Sequence, residues 1–344
     1  MSKANLIIIA PLVCVLTACG GGGTVSSSAP RPINSPIPTP VPTPTPTPTP
    51  IPTPVPLPVP SPNSLTRAQV DAVVNVYMTN IHMQNDLLSF ITKVTPSFNG
   101  AKFTVPMCAE GTYTLEYNDN DLNKKVSAGD LYTITFNNCA YGETVYVSGG
   151  VNVAVGYASS PLPAFSSPVQ LAYEQAWTLG QSTTFKDLKS RTNTSGDYDV
   201  INGLLDTSLV NALDEQKNYA ALNSNNLSYT GVVGGITIQH SYESIKFRYT
   251  TNLKDLSFKM QHEFKSTYTM GTSSLTIDAF SPVAFAGTLD SIHDRTSAPV
   301  SGTVNAGVQG YKTIVLQAAP AGLSVLLLGN IGAELKAWSD YGFH

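Results

Sequence analysis

The chain has 344 residues, 25 of them prolines, and a formal net charge of −4 with only 12% charged residues. This composition offers no basic patch of the kind that a phosphate backbone demands, so it speaks against nucleic-acid binding. Sixteen of the prolines lie between Pro30 and Pro62. The remaining residues, 63–344, have an ordinary globular composition and are predicted to form a single β-rich domain.

The N-terminus has the features of an export signal. Its apolar run, Leu6 to Leu16, is too short for a bilayer-spanning helix of about 20 residues. The run leads into Leu16-Thr-Ala-Cys19-Gly20, and on this lipobox the chain resembles bacterial outer-membrane lipoproteins. The resemblance implies that residues 1–18 are a signal peptide and that Cys19 carries acyl chains such as palmitate. A simple secretory leader is the alternative.

A proline-rich tether follows over residues 19–62. Gly20 to Gly23 are flexible, whereas the alternating prolines from Pro36 to Pro60 favour extended polyproline II. At about 3.1 Å per residue, the proline-rich stretch reaches on the order of 100 Å. It predicts a domain that acts away from its membrane anchor, toward the cell wall or out through surface polymers. A proline-rich ligand for a partner domain is the alternative.

One amphipathic helix is predicted at the start of the domain. Thr66 and Gln69 have the spacing of a capping box, and Pro96 ends the pattern. Between them, helically spaced positions form a stripe that predicts a packing face. The stripe consists of Val70, Val73, Val74, Tyr77, Ile81, Gln84, Leu88 and Ile91.

After Gly100 the period changes to two. Alternating segments such as 113–117, 131–136, 151–155 and 245–249, separated by Gly, Asn, Asp and Ser clusters, predict antiparallel strands. The expected class is mainly β (α+β), with a large curved antiparallel sheet and the N-terminal helix packed on it. A helical interruption is expected at residues 206–222.

A short phrase with glycine between apolar positions recurs at 147–151, 201–205, 229–233, 285–289 and 300–304. The spacing between its copies is irregular, which excludes a strict solenoid. The phrase predicts hairpin starts or bulges where a Cβ atom would clash.

The cysteines predict one disulfide. Cys14 leaves with the signal peptide and Cys19 carries lipid, so Cys108 and Cys139 remain. In an exported domain such a pair forms a bridge that stabilises the fold by about 3–4 kcal/mol. A metal site with two cysteine ligands is the alternative.

Residues 119–130, between these cysteines, have the oxygen pattern of a calcium loop. The donors are the side chains of Asp119, Asp121, Asn123, Ser127 and Asp130 and the backbone carbonyl of Lys125. Over these twelve residues the chain resembles EF-hand and dockerin-type loops, which implies calcium binding. Lys124 stands where such loops have glycine, and Asp130 replaces glutamate. A polar turn rich in Asp and Asn is the alternative.

No catalytic motif is present in the sequence. A catalytic or zinc site would need His240, His262 and His293 to converge, but His262 and His293 are expected at solvent-facing strand and turn positions. Trp177, Trp338 and the tyrosines are expected to pack between strands, with a carbohydrate-binding face as the alternative.

The function expected is that of a lipid-anchored envelope protein with a non-catalytic binding or structural domain. Its partners would be the membrane, through the anchor, and an envelope or surface ligand that the sequence does not identify. Residues 111–151 and 299–316 resemble uncharacterised proteobacterial lipoproteins, which implies no activity. A half-barrel carrier of an acyl or lipid ligand is the alternative, and an enzyme is a third possibility.

Overall fold

A computed structural model of the chain describes residues 65–105, 108–159, 162, 175–192, 197–233, 235–291, 297–308, 314–327, 334–341 and 343. The expected signal peptide, Cys19, the tether and His293 lie outside the described residues.

The described residues form one α-helix, one 3₁₀ helix and sixteen strands. The helices are α1 (Arg67–Val94) and the 3₁₀ helix Trp338–Tyr341. The strands are β1 (Ser97–Phe98), β2 (Phe103–Thr104), β3 (Glu110–Asn118), β4 (Leu131–Tyr141), β5 (Thr144–Ala158), β6 (Trp177–Thr192), β7 (Tyr198–Ala212), β8 (Lys217–Ser224), β9 (Ser228–Val233), β10 (Ile236–Asn252), β11 (Ser257–Met270), β12 (Ser273–Thr288), β13 (Ser301–Val308), β14 (Ile314–Ala319), β15 (Gly322–Leu327) and β16 (Glu334–Lys336).

Strands β3 to β16 form a single antiparallel sheet of 14 strands, which confirms the mainly-β prediction. Its order is β16-β15-β14-β13-β12-β11-β10-β8-β7-β6-β5-β4-β3, and β9 pairs with both β7 and β10. Strands β8 and β9 therefore share one position between β7 and β10. The hairpin β1–β2 stands apart from this sheet.

Helix α1 lies on the concave face of the sheet. Thr66 caps it and forms the expected capping box with Gln69. Phe90 contacts Phe136 on β4, while Tyr77 contacts Phe285 on β12, seven positions away in the sheet. Since one helix reaches strands so far apart, the sheet must curve around it. Within the described residues, no helix is long and apolar enough to cross a membrane.

Glycine bulges bend the strands. Gly149, Gly203 and Gly302 of the recurring phrase all have positive φ, and a Cβ atom on any of them would lie within 2.4 Å of a backbone oxygen of a neighbouring segment. Gly287 is crowded by Phe258 and by a carbonyl oxygen, whereas Gly231 has more room. The predicted bulges are thus found at most copies of the phrase, and they supply the bend that lets the sheet curve.

The helical interruption predicted at residues 206–222 is wrong. The segment forms the end of β7, a turn at 213–216 and most of β8. Leu205, Thr207, Leu209 and Asn211 are all buried, so every second side chain faces the core. This period of two is masked in the sequence because two of the inward positions are polar.

Candidate functional site

The β3–β4 hairpin carries both features that the sequence singled out. At one end the sulfur atoms of Cys108 and Cys139 lie 1.95 Å apart, as the predicted disulfide requires. At the other end residues 119–130 connect the two strands. The bridge thus closes the open end of the hairpin and leaves the acidic loop at its tip.

The acidic loop brings together three carboxylates. One oxygen each from Asp119, Asp121 and Asp130 lies within 4.8 Å of the others. Lys124 adopts a φ of 62°, so it takes the left-handed conformation that calcium loops assign to glycine. The backbone N–H groups of Asn123 and Lys124 donate to the carboxylate of Asp119 at 3.2 and 2.8 Å.

Asp130 holds the loop from inside. Its side chain is fully buried and accepts hydrogen bonds from the Tyr117 hydroxyl (2.7 Å), the Asn120 N–H (2.9 Å) and the N–H and hydroxyl of Ser127 (2.8 and 3.2 Å). Burial and the bond to Asp130 raise the pKa of Tyr117. Both oxygens of Asp130 are therefore engaged inside the protein, which favours a structural role for this carboxylate.

The remaining loop donors are open to solvent. Asp121 accepts from the Asn123 side-chain amide (2.7 Å) and from the Ser127 hydroxyl (3.1 Å). Desolvation is the largest single effect on the pKa of Asp121 and raises it, but hydrogen bonds to this carboxylate together outweigh desolvation and lower the pKa. The Lys125 carbonyl faces the Tyr117 hydroxyl at 3.5 Å. Carboxylate and carbonyl oxygens of this kind suit a hard cation, and Asp119 and Asp121 retain lone pairs for one.

An open pocket of about 440 Å³ lies beside this loop on the outer face of β3 to β6. Two cross-strand rows form its floor. One row consists of Glu116, Thr133, Asn152 and Thr184, and the other of Asn118, Leu131, Ala154 and Ser182. Thr133 donates to the Asn152 side chain at 3.2 Å. The sequence alone does not reveal this surface, because the surface depends on the register of four strands.

The tryptophans do not form a binding face. Trp177 and Trp338 are 1% and 5% exposed, so they pack in the core as expected. Among described aromatic residues, Tyr157 and Phe280 are the large exposed ones, and they lie on strands far apart in the sheet.

His262 is buried, contrary to the expectation that it faces solvent, and His240 is buried as well. His240 and His262 are 3% and 1% exposed and point toward α1 from β10 and β11. They belong to a set of buried polar residues between α1 and these two strands, which we call the polar seam. It consists of Tyr77, Asn80, Gln84, His240, Tyr242, His262 and Ser266.

Contacts in the polar seam join helix to sheet. The Tyr242 hydroxyl donates to the side-chain oxygen of Asn80, Oδ1, and His240 Nδ1 lies 3.5 Å from the same hydroxyl. His262 Nδ1–H donates to Gln84 Oε1 at 3.1 Å. No carboxylate bonds to either imidazole in the described part of the chain, so the acid–base pair that a catalytic histidine needs is not assembled there.

Carboxylates lie nearer the solvent-facing side of α1. Asp199 on β7 accepts a hydrogen bond from Tyr229 on β9. Desolvation raises the pKa of Asp86 on α1 to about 6; Lys93 opposes the rise and Asp199 adds to it. Desolvation also raises the pKa of Asp199. Part of the Asp86 side chain is exposed, although neighbouring groups desolvate its carboxylate.

Comparisons with family models, with curated proteins and with solved structures gave no significant match to this chain.

Proposed function

We propose that the protein is a lipid-anchored component of the cell envelope whose β-rich domain binds a ligand without catalysing a reaction. Cys19 would carry the acyl chains, and the proline-rich tether would hold the domain away from the outer membrane. The lipobox, the length of the tether and the Cys108–Cys139 pair, which suits an oxidising compartment, all support this proposal.

The open pocket on β3 to β6 is the observation that carries the binding function. Its floor offers both donors and acceptors from Thr133, Asn152, Ser182 and Thr184, with a single carboxylate from Glu116. Hydroxyl and amide groups lie here beside the apolar surfaces of Tyr117 and Leu131, and this combination suits a sugar, which has polar edges and apolar faces. We therefore propose an envelope glycan as the ligand class.

The carrier alternative is less well supported. An acyl carrier needs an apolar chamber, and the concave face of this sheet is occupied by α1. The helix residues Val73, Val74, Tyr77 and Ile91 are all 0% exposed, and the strand residues that Tyr77 contacts, Phe264 and Phe285, are at most 1% exposed. A helix packed in this way fills the space that an acyl chain would need.

A binding experiment with matched variants tests the pocket. We expect the full chain in detergent to sediment with isolated cell-wall sacculi or to bind purified lipopolysaccharide, and Asn152→Ala with Thr184→Ala to weaken that binding at least about tenfold. Gln261→Ala, on the exposed face of β11, is the control and should bind normally. Equal binding by both variants would remove the pocket from the proposal.

The anchor has its own test. Cys19→Ala should move the protein from the membrane fraction to the soluble fraction and abolish its acylation in mass spectra. Protease added to intact cells then distinguishes a surface-exposed domain, which is digested, from a periplasmic one, which is protected. If the Cys19→Ala protein stays in the membrane fraction, lipidation is not what anchors it.

Calcium binding by the acidic loop stays a prediction. The approach of Asp119 to Asp121 and the conformation of Lys124 support it, whereas the saturated carboxylate of Asp130 supports the simple polar turn. Isothermal titration should give calcium binding at millimolar concentration that Asp121→Asn abolishes. Absence of heat from the unsubstituted chain would end the hypothesis.

A further inference from the structure

The polar seam places two imidazoles in the interface between α1 and the sheet. All seven seam residues are at most 3% exposed. Several of their polar atoms, including Tyr77 Oη, Gln84 Nε2, His262 Nε2 and Ser266 Oγ, have no hydrogen-bond partner within the described residues. A seam with so few internal partners has little capacity to absorb an added charge.

The surroundings of His262 are apolar or neutral on every side. Helix α1 contributes Gln84 and Tyr77, whose ring centroid lies 5.8 Å from the imidazole. Strand β10 contributes Phe247 at 5.1 Å and strand β12 contributes Phe285 at 6.3 Å. Tyr77 is the titratable group among them, and burial raises its pKa, so it stays neutral.

His240 is enclosed mainly by tyrosines. Tyr229 on β9, Tyr242 on β10 and Tyr268 on β11 lie with ring centroids 6.1, 6.2 and 4.7 Å from the imidazole. The carboxylates Asp199 and Asp86 lie near these tyrosines and raise the pKa of Tyr229, but neither of them contacts a histidine. Burial raises the pKa of all three tyrosines, so they remain uncharged.

We propose that the polar seam is an acid-sensitive lock, in which protonation of His240 and His262 releases α1 from the concave face of the sheet. An imidazolium at either position would be a buried charge with no anionic partner, and helix release gives it water. The strands are held to one another by backbone hydrogen bonds, whereas α1 is held to them by side chains. The helix therefore leaves first.

The sign of the pH dependence follows from burial. Burial lowers the pKa of His240 to about 4 and that of His262 to about 3, from about 6.5 when exposed. The docked helix is therefore fully favoured above pH of about 6.5, and each histidine weakens docking about tenfold per pH unit below that value. Asp86 and Asp199 act in the opposite sense, because their raised pKa values make protonation favour the folded cleft. Variants must therefore be compared with one another.

Hydrogen exchange with mass spectrometry on the full chain in detergent tests this lock. Between about pH 7 and pH 4.5, after correction for intrinsic exchange rates, α1 should lose protection while β10 and β11 keep theirs. In the unsubstituted chain the two histidines together should change the docking equilibrium of α1 by up to about a hundredfold per pH unit. The double variant His240→Gln with His262→Gln should lack this change. Gln261→Ala, at an exposed and non-titratable position next to His262 on β11, is the control and should respond as the unsubstituted chain does.

Two results would overturn the proposal. The first is loss of protection in α1 and the sheet at the same pH; the second is an unchanged pH dependence in the double variant. If that variant does not fold, the exchange rates of the histidine C2 protons in the unsubstituted chain test the proposal, because they report the protonation state of each imidazole. Both buried imidazoles must stay neutral for as long as α1 is protected, and an imidazolium at pH 6 with α1 still protected contradicts the lock.

Discussion

Helix α1 meets the sheet in two chemically different ways. Its C-terminal part packs Phe90 against Phe136, Tyr146 and Phe185, and we call this group the aromatic end. Its middle part meets the sheet through the polar seam. The aromatic end contributes burial that does not depend on pH, whereas the seam contributes specific partners and a dependence on protonation. One part of the interface thus stabilises the docked helix at any pH, and the other part makes docking depend on pH.

The largest expected effect comes from the aromatic end. Phe90→Ala should lower the free energy of unfolding by about 3–5 kcal/mol, because it leaves a cavity among three rings. Urea denaturation at neutral and at mildly acidic pH should give the same loss. Phe280→Ala, at a residue that is 48% exposed, is the control and should change little. A loss below about 1 kcal/mol would mean that this end of the helix is not docked.

The second largest effect is expected at the glycine bulge of β7, because both parts of the interface require the sheet to bend. Gly203→Ala places a Cβ atom 2.2 Å from the Asn226 carbonyl oxygen at a φ of +113°, so it should cost at least about 2 kcal/mol. Gly156→Ala is the control, since its nearest neighbour lies at 3.6 Å. Thermal denaturation followed by circular dichroism measures both. Equal stability would show that the bulge does not set the curvature.

Breaking one seam contact should cost less. Asn80→Leu leaves the buried Tyr242 hydroxyl with only the longer contacts to His240 Nδ1 and Met83 Sδ, so it should lower stability by about 1–3 kcal/mol. Adding Tyr242→Phe removes this poorly bonded hydroxyl, so the double variant should recover most of the loss. A double-mutant cycle in urea measures this coupling, and strictly additive losses would argue against the bond.

The smallest effect is expected at the N-terminal end of the helix. Lys336 on β16 bonds to Asp71 and Glu334 at 2.8 Å, and Glu334 also pairs with Arg67. Because these groups are partly exposed, Lys336→Met should cost no more than about 1 kcal/mol and lose that effect in high salt. A loss that persists in molar salt would point to packing of the lysine stem instead of charge.

Local sequence patterns predicted most of the strands and the bulged glycines. The period of two, the capping box at Thr66 and the cysteine pair are all short-range signals. The prediction of a helix at residues 206–222 is wrong because Thr207 and Asn211 are buried polar residues. A polar residue at an inward position hides the alternating pattern of a strand. The outer pocket depends on the register of four strands, which no single segment encodes.

The burial of the two histidines shows where local reasoning can and cannot succeed. His262 follows Phe258 and Met260 at alternate positions, so continuing that pattern predicts it inside. For His240 the same step fails, since the register shift between Tyr242 and Ser244 switches which face the odd-numbered residues occupy. Extrapolating backward from Phe247 puts His240 on the wrong side.

The long reach of α1 has a consequence for biogenesis. A ribosome delivers this helix before any strand of the main sheet, yet its side chains contact residues as distant as Glu334 and Tyr341. Phe90 can be covered once Phe185 on β6 has been made, whereas Tyr77 lacks one of its contacts until Phe285 on β12 has followed. Newly made protein is therefore at greatest risk of aggregation early in synthesis, and a holdase that recognises amphipathic helices would protect it during that interval.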